Sequence, residues 1–247
     1  MDDAELAESL VREAGRLAAR MLADGLTVEH KTSISDVVSA ADRAAERLVV
    51  ERLRADRPAD ALVGEEGASS PGTSGRTWYI DPVDGTYNFL SGLPVWCSAV
   101  ALDLAVGAVH HPDADELWVG GSALPTTRNG QPVERLRDRP LTDVSIATYL
   151  HPTTLPDGSL REPLLRVIRG AATVRMLGSG SIELASVASG RIGVSLQSNS
   201  LPWDWLPGAA LVLGAGGAAE VVEAGGQRWH VAGNRQTVAE AIELLGG

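Results

Sequence analysis

The run Trp78-Tyr79-Ile80-Asp81-Pro82-Val83-Asp84-Gly85-Thr86-Tyr87-Asn88-Phe89 constrains this chain more than any other stretch. Three apolar residues read as the end of a buried strand, and the chain then turns at Pro82. Two carboxylates, Asp81 and Asp84, stand just past that strand end, and Asp84-Gly85-Thr86 forms a turn able to start a helix. Ligands collect at strand ends in α/β folds, and a helix start offers free N–H groups to an anion. Carboxylates for a hard cation thus lie beside N–H groups for a phosphate, which points to a metal-dependent phosphate-ester site. Asp-Pro and Asp-Gly are also ordinary turn formers, so the reading rests on the whole run and not on either pair.

With 247 residues the chain can form one large domain or two small ones around a sizeable core. Its 21 Lys and Arg stand against 32 Asp and Glu, a net charge of −11 with no basic block, which argues against nucleic acid as a main partner. A small anionic substrate stays compatible with that charge, because a bound metal reverses the local field. The acidic start Met1-Asp2-Asp3-Ala4-Glu5 is unlike a secretory signal, and Asp103 breaks the best apolar run, 99–109, so no membrane span is expected. Cys97 is alone, so no disulfide can form within the chain. A cytoplasmic setting is the expectation.

Apolar periodicity predicts a helix over 5–23, a second from about Ser39 to before Pro58, and later helices over 162–169, 182–189, 207–214 and 238–245. Strands are expected at 61–63, 95–104, 106–109, 115–119, 144–149, 173–177, 192–196 and 219–222. Segment 31–36 reads as a polar loop or short strand, 67–75 as a mobile Gly/Ser-rich loop, and Arg128-Asn129-Gly130 as a hairpin turn. The charged stretch 135–140 is a plausible junction between halves 1–137 and 138–247. Strands and helices alternate without a repeat, so a layered α/β or α+β fold follows.

Five acidic residues fall at element ends: Asp42, Glu65, Asp81, Asp84 and Asp204. Carboxylates placed so can converge across a fold, whereas those along a helix face usually meet solvent. Oxygen-only ligands suit Mg²⁺. His110-His111 is the only local imidazole pair, and neighbours on a strand face opposite ways, so zinc is not indicated. Taken singly, Gly64-Glu65-Glu66-Gly67 is compatible with a solvated turn, and Asp204 with an N-cap one turn before Pro207.

Gly64-Glu65-Glu66, the run from Asp81 to Phe89 and Trp203-Asp204 resemble the three main motifs of the inositol monophosphatase family of lithium-sensitive, magnesium-dependent phosphatases. The likeness covers nearly the whole chain, with Lys31, Asp36 and Ala41-Asp42 upstream and 175–180 and 214–217 downstream. It implies a five-layered αβαβα sugar-phosphatase fold, often dimeric. Glu65, Asp81, Asp84 and Asp204 match metal-ligand positions, and Val83 the position that lends a backbone carbonyl, for two or three Mg²⁺ ions. Thr86 and Asp42 match the pair near the nucleophilic water, where Glu65 is a further candidate base. Asp84, Gly85 and Thr86, with Gly178, Ser179, Gly180 and Asp204, match phosphate or substrate contacts. The implied reaction is direct attack of water on an inositol monophosphate or related polyol or sugar phosphate, without a covalent phosphoenzyme.

Several positions depart from the family pattern. Gln197 stands where inositol phosphatases carry a glutamate that grips a ring hydroxyl, Pro207 replaces a small residue, and 120–128 is short. Trp96 resembles a feature of histidinol-phosphate phosphatases, although a core aromatic explains it as well. Histidinol phosphate, fructose 1,6-bisphosphate and 3′-phosphoadenosine 5′-phosphate are therefore alternative substrates. A catalytically retired binding or regulatory protein is the alternative from another class. A haloacid-dehalogenase-type phosphatase fits poorly, because its two aspartates are two residues apart and here Pro82 and Val83 both intervene.

Overall fold

A computed structural model describes residues 1–25, 28–30 and 37–247, so the segment 31–36, with Lys31 and Asp36, lies outside the described residues. The first part of the chain forms α1 (Asp3–Asp24), β1 (Val28–His30), β2 (Val37–Ser39), α2 (Ala40–Asp56), β3 (Ala61–Gly64), β4 (Ser69–Ser70), β5 (Thr77–Asp84) and α3 (Thr86–Ser91). A meander follows: β6 (Cys97–Leu102), β7 (Val106–His111), β8 (Glu116–Gly121), β9 (Leu124–Arg128) and β10 (Gln131–Pro132). After an irregular stretch come β11 (Ser145–Ala147), α4 (Gly158–Gly170), β12 (Thr173–Arg175), α5 (Gly180–Ala188) and β13 (Val194–Ser198). The chain closes with α6 (Pro202–Gly214), β14 (Ala218–Ala224), β15 (Gln227–Gly233) and α7 (Arg235–Gly246).

Two sheets organise these elements, with a separate antiparallel pair of β1 and β2. The large sheet has the order β10-β9-β8-β7-β6-β5-β3-β4 and the small one β12-β11-β13-β15-β14. Helices α1 and α2 cover the outer face of the large sheet, α5 and α6 fill the space between the sheets, and α4 and α7 cover the outer face of the small one. The fold is thus the five-layered αβαβα arrangement.

Local sequence explains the layers. Helix α1 starts in a capping box between Asp2 and Glu5 and buries Leu6, Leu10, Val11, Ala14 and Ala18, one face of a 3.6-residue period. Helix α5 buries seven of its nine residues because sheets lie on both sides of it. Helix α6 lies directly on the large sheet only because residue 107 is glycine: a Cβ there would stand 2.2 Å from the Pro207 carbonyl oxygen. Asn129 and Gly130 both take positive φ, 50° and 73°, and make the tight turn expected between β9 and β10.

Two expectations need correction. The loop 67–75 is tied down: Ser69 and Ser70 pair with β3, and the Thr73 and Ser74 N–H groups both donate to the Ala59 carbonyl. Helix α6 begins at Pro202 and not near Pro207, so Asp204 lies inside its first turn instead of capping it. Pro202 fits the first helical position, where no N–H is needed, and the second proline is accommodated within the helix.

Candidate active site

Asp81 and Asp84 are three apart, and in a regular strand they would face opposite sides of the sheet. The β5–β6 register shifts between them: Asp81 pairs with Ala99 and Asp84 with Cys97. Three steps on β5 are thus matched by two on β6, a bulge that turns both carboxylates to one face. Pro82 sits in that bulge, where a missing N–H costs no ladder bond. Gly85 then takes a left-handed φ of 92°, and a Cβ on it would lie 2.9 Å from the Val95 carbonyl oxygen. Only glycine combines that turn with that approach.

The remaining residues arrive from β3, α2, α3, α5 and α6, with Gln197 on β13. Glu65 follows the end of β3, with its N–H bonded to the Ile80 carbonyl at 3.1 Å. Its turn is held by the buried Glu46, which accepts from the Glu66 and Ala68 N–H groups. Asp42, in the first turn of α2, is fully buried. The Thr86 hydroxyl lies 3.1 Å from Asp42 Oδ1 and 2.9 Å from the Val83 carbonyl, so one proton serves two acceptors. Asp204 enters from α6, while Gly178, Ser179 and Gly180 lead into α5, whose N-cap is Ser179.

Asp84 joins the two halves of the chain. Its oxygens accept from the Gly180 N–H at 3.1 Å and the Ser181 N–H at 2.5 Å, across 96 and 97 residues of sequence. Asn88 makes a second tie, donating to the carbonyls of Val95 and Leu177. A cavity of about 530 Å³ opens where these elements meet. Glu65, Asp81, Val83, Asp84, Gly85, Thr86, Gly178, Ser179, Gly180, Gln197 and Asp204 all line it, and Asp42 stands behind Thr86. A larger cavity, about 650 Å³, lies at the other end of α5, and it gathers arginines and none of the candidate site residues.

The lining carries carboxylates and no Lys or Arg among the described residues. Burial pushes the Asp81 carboxyl well above its ordinary range, and the charges of Glu65, Asp84 and Asp204 push it further. Burial also raises Asp84 against the bonds from Ser181, Ser179 and Gly180. Asp204 is pushed up to about 7, by burial first and then by Asp84. Such repulsion is relieved by a cation, and carboxylate plus carbonyl oxygens are the donors a hard divalent ion prefers. Among the described residues no three such groups close around one point. Mg²⁺ takes one or two carboxylates, keeps waters and shares its coordination with substrate phosphate, so oxygen donors of this kind are the ones it accepts. The residues present fit the ion.

Sequence reasoning missed Glu183, Tyr149, Pro152, Tyr87 and Asn88 of the lining. Glu183 had a signal: it is the one charged side chain in α5. Tyr149 and Pro152 had none, because loop residues after β11 reach the cavity only through the fold. Trp96 is a core aromatic, packed edge-on against Phe89 at 4.7 Å. His110 and His111 take no part: His110 is buried under α1, and His111 bonds the Pro94 carbonyl.

Two sheets sharing a central helical layer, with an acidic cavity at the strand and helix ends, define a phosphatase of the sugar-phosphatase class. The chain belongs to the inositol monophosphatase family, whose sequence profile matches residues 2–245. It is 38% identical to an inositol-1-monophosphatase of Rhizobium meliloti over 202 residues, 78% of this chain and 75% of that one. It is 30% identical to a fructose-1,6-bisphosphatase/inositol-1-monophosphatase of Thermotoga maritima over 223 residues, 88% and 84% of the two chains. The extragenic suppressor protein suhB of Bartonella henselae superposes with a TM-score of 0.87 at 27% identity, covering 98% of this chain and 97% of that one. The protein is an inositol-monophosphatase-like phosphatase.

Proposed function

We propose that this phosphatase is Mg²⁺-dependent and hydrolyses an inositol monophosphate or a related small polyol or sugar monophosphate by direct attack of water. The observation that carries the reading is the acidic set of buried Asp81 and Asp84 with half-buried Glu65 and Asp204, whose charges bear on Asp81 with no lining arginine or lysine among the described residues. When bound, Mg²⁺ would stabilise the phosphoryl charge and make the attacking water a stronger acid. Glu65, Asp81, Asp84, Asp204 and the Val83 carbonyl would hold two or three such ions. Glu65 or Asp42, with the Thr86 hydroxyl between Asp42 and Val83, orients the water and takes its proton. The Gly85 and Thr86 N–H groups and the Gly178–Gly180 loop would hold the phosphate, with Gln197 and Asp204 towards the leaving alcohol.

Halves 1–137 and 138–247 then cooperate, since the first supplies most ligands and the second supplies Asp204 and the substrate wall. A homodimer and a cytoplasmic setting are part of the same proposal. No described helix is long and apolar enough to cross a membrane.

A phosphate-release panel tests the reading. Its members are myo-inositol monophosphates, glycerol 2-phosphate, histidinol phosphate, fructose 1,6-bisphosphate and 3′-phosphoadenosine 5′-phosphate, each with and without Mg²⁺. Release from the monophosphates that needs Mg²⁺ and falls on addition of Li⁺ is expected. No Mg²⁺-dependent release from any member would leave only the retired, ligand-binding alternative. Activity that Li⁺ leaves untouched would remove lithium sensitivity and keep metal-assisted hydrolysis.

A further inference from the structure

Gln197 lines the cavity with its amide already engaged at both ends. Nε2 donates to Glu183 Oε2 at 3.0 Å, and Oε1 accepts from the Ser200 hydroxyl at 3.2 Å. The other Glu183 oxygen is occupied as well, by the Leu177 N–H at 2.9 Å. Glu183 is 1% exposed, in the first turn of α5, yet it borders the same cavity. Glu183 is pushed up to about 8 by burial, and above that pH its carboxylate can only accept, so it then decides which end of the Gln197 amide is NH₂, with the Ser200 hydroxyl donating to the other end. One N–H and one carbonyl lone pair of Gln197 are left over. The cavity wall is therefore a neutral edge that offers one donor and one acceptor in a fixed order.

Glu183 also reaches the phosphate end of the cavity. Its bond to Leu177 anchors the segment that runs into Gly180 and Ser181, whose N–H groups hold Asp84. A buried carboxylate needs such donors to be tolerated at all. Its partners stand on the loop before α5 and on β13, so the bonds fix β13, the loop and α5 against one another at the cavity.

We propose that Glu183 is a positioning residue for leaving-group selection: by orienting the Gln197 amide it makes the cavity favour phosphate monoesters whose leaving alcohol carries further hydroxyls. A hydroxyl both donates and accepts, so it matches an edge that offers one of each, whereas an alkyl leaving group matches neither. With an amide at position 183, that side chain can donate as well as accept, and Gln197 can settle either way round. The inference rests on the phosphatase reading of the site.

The test compares, at pH 9 where Glu183 is ionised, kcat/KM for glycerol 2-phosphate with that for isopropyl phosphate, which lacks only the two free hydroxyls. Four proteins are measured: wild type, Glu183→Gln, Gln197→Ala and the double variant. The ratio of the two values should fall about tenfold in Glu183→Gln, the size expected for one lost oriented hydrogen bond. It should fall similarly in Gln197→Ala and no further in the double variant, because one residue acts through the other. A merely structural role lowers both substrates together and leaves the ratio alone, and that result overturns the proposal. Independent, multiplying effects of the two substitutions overturn it too. Should Glu183→Gln fail to fold, Ser200→Ala frees the other end of the amide and must lower the same ratio; an unchanged ratio there is equally fatal. Wild type that releases no phosphate from either ester sinks the phosphatase reading and this inference with it. An active wild type whose ratio no variant moves sinks this inference alone.

Discussion

Strand β5 runs between two carboxylate clusters that the chain treats in opposite ways. At its start, the buried Asp60 accepts from Arg76, from the Ser74 hydroxyl at 2.7 Å and from the Trp78 indole at 2.9 Å. Arg76 also pairs with Asp3, which Arg57 holds from the other side. At the far end of the strand stand Asp81 and Asp84, with Glu65 and Asp204 beside Asp81. Burial pushes Asp60 and Asp81 alike upward. For Asp60 the bonds from Arg76, Ser74 and Trp78 outweigh burial and leave its carboxyl below the ordinary value, while for Asp81 the neighbouring acids add to burial. The first cluster carries its own arginine, whereas the cavity lining around the second holds no Lys or Arg among the described residues. That difference separates a structural carboxylate from a candidate metal ligand more sharply than burial does.

The largest way to break the comparison is Asp84→Asn, which conserves size and removes one charge from the acidic cluster at the far end of β5. Turnover should fall by orders of magnitude while the protein stays folded, relief of repulsion being set against the loss of one bond from the Gly180 or Ser181 N–H. Full Mg²⁺-dependent activity in the folded variant would show that Asp84 is no ligand; Asp81→Asn should behave the same way.

Next in size is a pH effect. Glu183 is pushed up to about 8, by burial first and then by the Asp84 charge, against bonds from Leu177, Gln197 and Gly178. Its folded value thus lies above the unfolded one, so its contribution is complete below the unfolded value and is lost as pH rises towards 8. Between pH 5 and pH 8.5, metal-free wild type should lose roughly 2–4 kcal/mol of stability relative to Glu183→Gln. Urea unfolding at the two pH values measures this, and parallel losses in both proteins would contradict it.

Asp60→Asn instead breaks the cluster that carries its own arginine. It should cost about 2 kcal/mol, below the usual range for a fully buried pair because the Arg76 side chain is 39% exposed. Asp60 lies outside the cavity lining, so kcat should hold at temperatures where the variant is folded. A large loss of kcat with unchanged stability would reverse the roles assigned to the two ends of β5.

The smallest effect is the sharpest on the proposed cation. Mg²⁺ at about ten times its dissociation constant should stabilise wild type by ~1.4 kcal/mol, and Asp84→Asn by much less at the same concentration. A thermal shift of equal size in both proteins would place the bound ion elsewhere.

The sequence by itself determined the chemistry and the layer pattern. Carboxylates grouped around turn formers name the donor type and the cation it suits, and apolar periodicity names helices and strands, because both depend on neighbours along the chain. It read the start of α6 wrongly, since two prolines five residues apart offered two first positions and local preference does not rank them. The hydrogen bonds of 67–75 were equally out of its reach, because their partners lie on Ala59 and β3. Only the tertiary structure decided that Asp81 and Asp84 share a face, since the bulge that turns them together is set by pairing with β6. It alone decided that Glu183 holds Gln197 and that Asp84 meets α5, bonds between groups 14 and about a hundred residues apart. The physical reason is the same in each case: which donor satisfies a buried acceptor depends on what the other layers bring against it, and no local pattern carries that information.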